Sequence, residues 1–423
     1  MSNPRVVAAK ALLRVEKDEA FSNIVLNDAI KSAGLEKADA AFASTLFYGV
    51  LERKITLDYY IRSLSSQPLS KVSPLTLQVL RCGLYQIVYM DKVPDSAAVN
   101  EAVKIIKKSK ESRSFGYVNA VLRNFLRSRP QLPTNDTVRG ISVNYSCGEN
   151  LIEHLISDYS KEETVSFLEE SLKNSEVFIR VNTLKTNTDE LKKLLAEQGI
   201  TAFDTDMPNA LRLESVGSIE RNSLYLEGYF HVQDISSQIC AASVDARDNQ
   251  KFIDMCAAPG GKTFTVCQYM CDKGEITACE LYEHRTELIK KGAKRLGLTS
   301  VNTVCADATV FDADKENKFD RVLCDVPCSG SGVISRKPDI KYKNFSDTEE
   351  LSNIQLKILK NGFKYLKSGG RLVYSTCSIL KVENETVINK FLDEEEGAQL
   401  VSMRTYLPQT DKTDGFFIAV IEK

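Results

Sequence analysis

The sequence predicts a multidomain chain: an all-helical N-terminal domain, a small α/β unit, and a C-terminal α/β domain built on an open, doubly wound sheet. Three observations carry that prediction. The 423 residues exceed what one ordinary hydrophobic core can hold. Apolar residues recur at helical intervals through roughly the first 130 positions. From about residue 230, strand-like and helical stretches alternate in the manner of a doubly wound sheet.

Residues 1–130 read as helix throughout. Segments such as VVAAKALLRV, AFASTLFYGVL, LTLQVLRCGLYQIVYM, AAVNEAVKIIKK and FGYVNAVLRNFL carry the helical period, with Val99, Ala102, Val103 and Ile106 forming one apolar stripe. Pro68, Pro74 and Pro94 fall between segments, where they stop helices without kinking them. The segment RSRPQLPTND, with Pro130 and Pro133, reads as the linker that closes this domain. In the next unit, residues 136–230, NLIEHLISDY and EETVSFLEESL read as helices, the second opened by a capping box of Ser160 and Glu163. FIRVNTL then reads as a strand, TDELKKLLAEQG as a helix ending at Gly199, and ALRLES as a strand. There is no internal repeat and no low-complexity tract.

In residues 231–423 the strand ends are the informative places, because ligands of doubly wound sheets bind outside the carboxyl ends of the strands. FIDM runs into the Gly260-Gly261 loop, EITACE ends on Glu280, VNTVCAD on Asp307, RVLCD on Asp325, and RLVYST runs onto Cys377.

Composition is that of an ordinary globular protein, and no stretch is long and apolar enough to span a bilayer. The first residues, MSNPRVVAAKALLRVEKDE, interleave charge with apolar residues and lack the apolar block of a secretory signal, so a cytoplasmic protein is expected. The eleven cysteines are scattered; Cys240, Cys267, Cys279, Cys305 and Cys324 lie in apolar runs, where a free thiol packs as a small hydrophobe. With three histidines and no completed pair of Cys half-sites, no metal is expected. Charge is unevenly spread: residues 1–130 carry 20 Lys and Arg against 12 Asp and Glu, the remainder 35 against 45. The first part is therefore the better candidate for touching a polyanion.

The loop DMCAAPGGKT ends like a phosphate-binding loop, but Cys256 stands where the Walker pattern needs its first glycine, and Pro259 removes a backbone donor. The ligand need not carry phosphate. Glu280, at the end of the second strand, can accept both hydroxyls of a ribose; Asp307, at the end of the third, can accept from an adenine amino group. Together with a glycine loop that backbone and ligand can share closely, this describes an adenosine pocket. S-adenosylmethionine fits it, and a nicotinamide cofactor fits less well, because CAAPGGK lacks the G-x-G-x-x-G order.

DVPCSGSG (325–332) and STCS (375–378) are neighbours if their strands are the fourth and fifth of the sheet, which would put Cys328 and Cys377 on one cleft beside the methyl donor. Carbon 5 of cytosine is a poor nucleophile until a thiolate adds to carbon 6 and turns the ring into an enamine. Asp325 would hydrogen-bond the ring edge to favour that addition. Spacing alone does not choose between the two cysteines as nucleophile.

The strings CAAPGGKT, LCDVPCSGSG, RKPDIK and YSTCSILKVENE, flanked by RVNTLK (180–185), HVQDISSQ (231–238) and DGFF (414–417), resemble the RNA cytosine-5 methyltransferases of the Nop/Sun family over essentially the whole chain. The resemblance implies a Rossmann-like methyltransferase domain whose cofactor pocket comprises Cys256, Ala257, Ala258, Pro259, Gly260, Gly261, Lys262, Glu280, Asp307 and Asp325. It implies Cys377 as nucleophile and Cys328 as the group assisting release of the methylated base. One departure is Glu280, where the family commonly has Asp; the longer side chain still reaches a ribose. The N-terminal helices, including GYVNAVLRNFLR, resemble the NusB RNA-binding fold, and residues near 140–230 are implied to be RRM-like. That combination points to small-subunit ribosomal RNA as the partner.

A base inside a stacked helix is out of reach, so the target must be flipped or unpaired, and a separate surface must hold the flanking backbone. Lys104, Lys107, Lys108, Arg123 and Arg127 are the expected phosphate contacts. The competing readings are a transfer-RNA methyltransferase of the same chemistry, an inert RNA-binding module of antitermination type, and a P-loop ATPase. The intact pair Cys328 and Cys377 argues against the inert module.

Overall fold

A computed structural model describes residues 3–18, 22–173, 175–217 and 219–423. They form two compact units. The first takes the chain up to Leu172 together with the short segment Lys337–Asn344; the second takes Lys173–Arg336 and Phe345–Lys423.

Among the described residues ten α-helices build the first unit: α1 (Pro4–Asp18), α2 (Ser22–Ala33), α3 (Lys37–Glu52), α4 (Lys54–Leu64), α5 (Pro74–Tyr89), α6 (Asp95–Lys107), α7 (Phe115–Ser128), α8 (Val138–Tyr145), α9 (Glu149–Asp158) and α10 (Lys161–Glu170). Pro74 sits in the first turn of α5, where a missing N–H costs nothing, and Pro94 caps α6. Ser160 and Glu163 close the capping box expected at α10. The α6 stripe is buried at Val99, Ala102 and Ile106 and half-buried at Val103; it joins Leu46, Phe47, Leu80 and Leu122 in one core. That core encloses an ion pair. Arg81 donates from Nε and Nη2 to both oxygens of Asp58, at 2.7 and 2.8 Å, and from Nη1 to Glu16 at 2.9 Å. The segment Lys337–Asn344 is pinned to these helices: Ser22 donates to Asp339 at 2.6 Å, and the Lys54 amide donates to the Tyr342 hydroxyl at 3.2 Å.

The second unit holds two sheets. The smaller contains β1 (Val177–Val181), β2 (Thr201–Asp204), β3 (Ala210–Glu214) and β4 (Phe230–Val232), in the order β2-β3-β1-β4 and antiparallel throughout, with α11 (Thr188–Glu197) and α12 (Ser223–Leu226) between strands. After α13 (Ile235–Ser243) come β5 (Lys251–Asp254), α14 (Gly261–Tyr269), β6 (Glu275–Glu280), α15 (Glu283–Leu296), β7 (Val301–Cys305), β8 (Phe319–Asp325), α16 (Thr348–Tyr365) and β9 (Leu366–Thr376). The chain ends with α17 (Glu385–Glu394), β10 (Gln399–Tyr406), α18 (Pro408–Asp411) and β11 (Phe416–Glu422). The large sheet runs β10-β11-β9-β8-β5-β6-β7, parallel from β9 to β7, with β10 and β11 antiparallel at one side.

Covered on both faces, the central strands are apolar almost without alternation, as Phe252-Ile253, Val322-Leu323-Cys324 and Leu372-Val373-Tyr374 show. Strand order reverses about β5: the chain runs outward through β6 and β7, then returns to β8 on the other side, so the loops after β5 and β8 open at a topological switch point. One expectation is corrected here. Cys305 does not pack as a small hydrophobe; it is exposed, because β7 is the edge strand of the sheet. No helix among the described residues is long and apolar enough to cross a membrane.

Candidate active site

Strand β5 delivers Asp254 to the switch point, buried to 1 % exposure. Its carboxylate accepts from the Thr263 hydroxyl at 2.6 Å and the Cys256 amide at 3.3 Å, clamping the start of the glycine loop to α14. Burial raises the Asp254 carboxyl to about 7. Gly260 turns the loop at φ 110°, and a Cβ there would lie 2.3 Å from the Phe264 ring, so the backbone is as bare as a ligand cradle requires.

Lys262, in the first turn of α14, reaches across to β8 and donates to Asp325 Oδ2 at 2.7 Å. Ser375, at the end of β9, donates to Oδ1 of the same carboxylate at 2.8 Å. Burial works against the Lys262 ammonium, but Asp325 outweighs it and holds the group charged well above its ordinary range. Glu280 closes β6 at 3 % exposure and accepts from the Tyr282 amide at 3.2 Å and from Arg285 Nη1 at 3.1 Å. The other arm of Arg285 donates to the Ala258 carbonyl at 3.0 Å, so one guanidinium ties the acidic strand end to the glycine loop.

Beyond β7, Asp307 accepts from the Thr309 amide and hydroxyl, at 2.8 and 2.7 Å, and lines a cavity of about 360 Å³ with Met255, Cys279, Ala308, Val310 and Phe311. The lining also includes Asp312 and Lys315, paired with each other at 2.8 Å; its apolar walls and the Asp307 carboxylate fit a nucleobase with an exocyclic amine, and the buried Glu280 beside a bare glycine loop fits a ribose. Among the described residues no group of three potential metal ligands comes together.

Cys328 and Cys377 follow the adjacent parallel strands β8 and β9, and their sulfurs lie 3.1 Å apart as free thiols. The hydrogen bond to Cys377, then burial and the carboxylates of Glu383 and Asp325, push the Cys328 thiol well above its ordinary value. Their loops interlock with the chain's end. Gly332 donates to the Cys377 carbonyl at 3.0 Å and its own carbonyl accepts from Gly415; a Cβ on Gly332 would sit 2.0 Å from the Gly415 oxygen. The DGFF string is thus part of the frame behind the thiols, and Phe416 lies under Lys262, 4.9 Å from ammonium to ring centre.

The residues anticipated from the sequence therefore meet in three clusters: the loop from Cys256 to Lys262 with Asp325, Glu280 with that loop, and the two cysteines. Asp307 stands one strand further out, on the cavity. Arg285, Ser375 and Glu383 were not anticipated as site residues; each acts through a partner that folding supplies, although Ser375 and Glu383 both lie within the string YSTCSILKVENE.

All five expected RNA contacts, Lys104, Lys107, Lys108, Arg123 and Arg127, are exposed. Lys104 and Lys108 line a cleft of about 680 Å³ with Lys10 and Lys110, with Glu101 and Glu111, and with apolar side chains that include Val6 and Leu13. Lys107 is drawn aside onto the Phe115 ring, 4.7 Å from its centre, while Arg123 and Arg127 donate to Asn119 and Asn124 of their own helix.

Three family models match consecutive parts of the chain: the NusB family over residues 2–127, a ferredoxin-like domain of RsmF/B-like methyltransferases over 149–220, and 16S rRNA methyltransferase RsmB/F over 241–422. A probable ribosomal RNA small subunit methyltransferase B of Bacillus subtilis is 36% identical, covering 99% of this chain and 98% of that protein. The ribosomal RNA small subunit methyltransferase B of Proteus mirabilis is 33% identical, covering 100% and 99%. Among solved structures, PH0851 is 25% identical with a TM-score of 0.85 over 100% of this chain and 99% of that one. A methyltransferase homologue from Pyrococcus horikoshii is 27% identical with a TM-score of 0.59 over 67% and 97%.

Proposed function

We propose a function from one premise: the chain belongs to the 16S rRNA methyltransferase RsmB/F family. It transfers a methyl group from S-adenosylmethionine to carbon 5 of a cytosine in small-subunit ribosomal RNA, through a covalent bond between Cys377 and carbon 6. The observation that carries the reading is the pair of thiols 3.1 Å apart at adjacent strand ends, next to a loop shaped for an adenosine-bearing ligand.

The glycine loop from Cys256 to Lys262, with Glu280, Asp307 and Asp325, would hold the cofactor, and Arg285 would keep Glu280 and the loop in register. S-adenosylmethionine supplies an electrophilic methyl group on a sulfonium sulfur. Cys377, as thiolate, would add to carbon 6, the displaced π pair would make an enamine, and carbon 5 would take the methyl group, the electron pair of the broken sulfonium–methyl bond staying on the donor sulfur as S-adenosylhomocysteine leaves. The carbon 5 proton then passes to a base, and the carbon–sulfur bond breaks with its electron pair returning to Cys377. Cys328, a protonated thiol in contact with that sulfur, donates to it as it departs. Lys262 and Asp325 form a charged pair able to donate to and accept from the edge of the pyrimidine ring.

The division of labour we assign is RNA grip by residues 1–130 and 136–230 and chemistry by 231–423, with the lysine cleft of the first part as the place where the flanking strand is held.

The test uses S-adenosylmethionine and unmodified small-subunit rRNA with wild type, Cys377→Ala and Cys328→Ala, resolved on denaturing gels. Cys328→Ala is expected to accumulate a protein–RNA adduct, and Cys377→Ala to give neither adduct nor methylated product. Adduct formation by Cys377→Ala would move the nucleophile elsewhere; failure of the wild type on this RNA would turn attention to transfer RNA.

A further inference from the structure

We propose that Glu383 is a positioning residue of the reaction: one buried carboxylate that holds the residue following each of the two cysteines and so sets the thiols against each other. The inference rests on the cysteine chemistry proposed above.

Glu383 lies in a short turn six residues beyond Cys377 and is 0 % exposed. A buried carboxylate is costly unless its acceptor sites are filled. Here they are filled almost entirely by the two cysteine loops. Oε1 accepts from the Ser329 amide at 2.8 Å and from Gln355 Nε2 at 3.0 Å. Oε2 accepts from the hydroxyls of Ser329 and Ser378. Ser329 follows Cys328, and Ser378 follows Cys377. A carboxylate offers about four lone-pair sites, and four donors occupy them.

That saturation decides the kind of role. With every site engaged and no face open to solvent, Glu383 is badly placed to take the carbon 5 proton, and well placed to hold the geometry. Glu383 is itself anchored from two further elements, at its carboxylate by one and at its backbone by the other. Gln355 belongs to α16, and the Tyr374 hydroxyl of β9 donates to the Glu383 carbonyl at 2.6 Å. Asn384 next door accepts from the Thr376 hydroxyl at 2.6 Å and donates to the Ser378 carbonyl at 2.9 Å, fixing the turn that carries Cys377. Ser331 extends the link, 2.9 Å from the Ser378 hydroxyl and accepting from the Ile379 amide at 3.0 Å. The Glu383 carboxylate also lies close enough to Cys328 to favour its thiol form, after the contact with Cys377 and burial.

The experiment compares Glu383→Gln with wild type, and Glu383→Gln/Cys328→Ala with Cys328→Ala, on the full-length protein with small-subunit rRNA. Glutamine preserves size but turns an amide NH₂ toward donors that need an acceptor. An ångström of displacement at a reacting group costs on the order of 100-fold, so kcat is expected to fall about that much with both KM values unchanged, and adduct formation in the Cys328→Ala background to slow in parallel. Unchanged kcat and adduct rate overturn the proposal, as does a KM rise that accounts for the whole defect. Should Glu383→Gln fail to fold, Ser378→Ala removes one of the four donors and is read the same way, with a fall of several-fold expected. A wild type that methylates RNA while Cys328→Ala traps no adduct instead overturns the underlying cysteine reading.

Discussion

The helical unit and the catalytic unit each hold a close ion pair, the first buried and the second partly exposed, and they use it differently. Arg81 and Asp58 meet as a two-pronged fork, with Glu16 on the third arm, at side-chain exposures of 4 % and 12 %. The fork leaves Asp58 little capacity for anything else. Lys262 and Asp325 meet through a single contact at exposures of 14 % and 26 %, on a strand end that faces the glycine loop. Lysine has three donors and uses one of them on Asp325. A saturated pair is a structural device, whereas a half-used pair at a strand end keeps bonding capacity for a ligand.

The largest expected effects break this contrast directly. Asp325→Asn should lower kcat by about 100-fold, the size seen when one charge-stabilising group is removed from an active site, with little change in melting temperature. Arg81→Ala should do the reverse. It strands the Asp58 carboxylate and costs roughly 3–5 kcal/mol of stability, while activity per folded molecule is retained. Paired calorimetry and steady-state kinetics check both; a stability loss at Asp325 matching that at Arg81 would sink the distinction.

Next in size are two fully buried groups without a charged partner of their own, Asp254 and His231, whose pH effects oppose each other. Burial raises Asp254 to about 7, above its unfolded value near 4, so its contribution to stability is full below about 4 and is lost as pH rises towards 7. Burial lowers His231 to about 3, below its unfolded value near 6.5, so its contribution is full above 6.5 and is lost as pH falls towards 3. Over the shared window the two slopes cancel. Relative to wild type, Asp254→Asn should gain stability with rising pH by up to about 1.4 kcal/mol per pH unit between roughly 4.5 and 6, and His231→Gln should lose it. Urea melts at several pH values measure both, and parallel profiles for all three proteins would contradict the assignment.

The smallest effects belong to exposed charges. Lys104 keeps 64 % of its side chain in water while paired with Glu101, and such a pair contributes little to stability. Lys104→Glu/Lys108→Glu should weaken RNA binding and reduce its salt slope by about 1 to 2, leaving cofactor affinity unchanged. Arg123→Glu/Arg127→Glu, outside the cleft, should do less. An equal effect of both double variants would make the RNA surface a diffuse basic face and not the lysine cleft.

Much of the chemistry was legible because it sits where backbone direction alone places it. In a doubly wound sheet the residue ending each strand is at the ligand edge whatever its neighbours do, so Glu280, Asp307, Asp325 and Cys377 could be picked out by position. The helical periods and prolines of the first 130 residues likewise follow from local physics. Cys305 misled because an apolar run reads alike in a central and an edge strand, and only strand order tells them apart. The final strands β10 and β11, inserted antiparallel beside β9, gave no local sign of their place in the sheet.

The sequence by itself determined the domain classes, the strand-end residues and the presence of two cysteines with a glycine loop, since each depends on periodicity or on residues close in the chain. The tertiary structure decided which groups become partners, in most cases across tens of residues. It joined Cys328 to Cys377, Lys262 to Asp325, Arg285 to both Glu280 and Ala258, and Glu383 to the two serines beside the thiols. Hydrogen bonds and ion pairs of this kind act over about 3 Å, and burial, which the sequence expresses only on average, decides which of them a charged group is obliged to make.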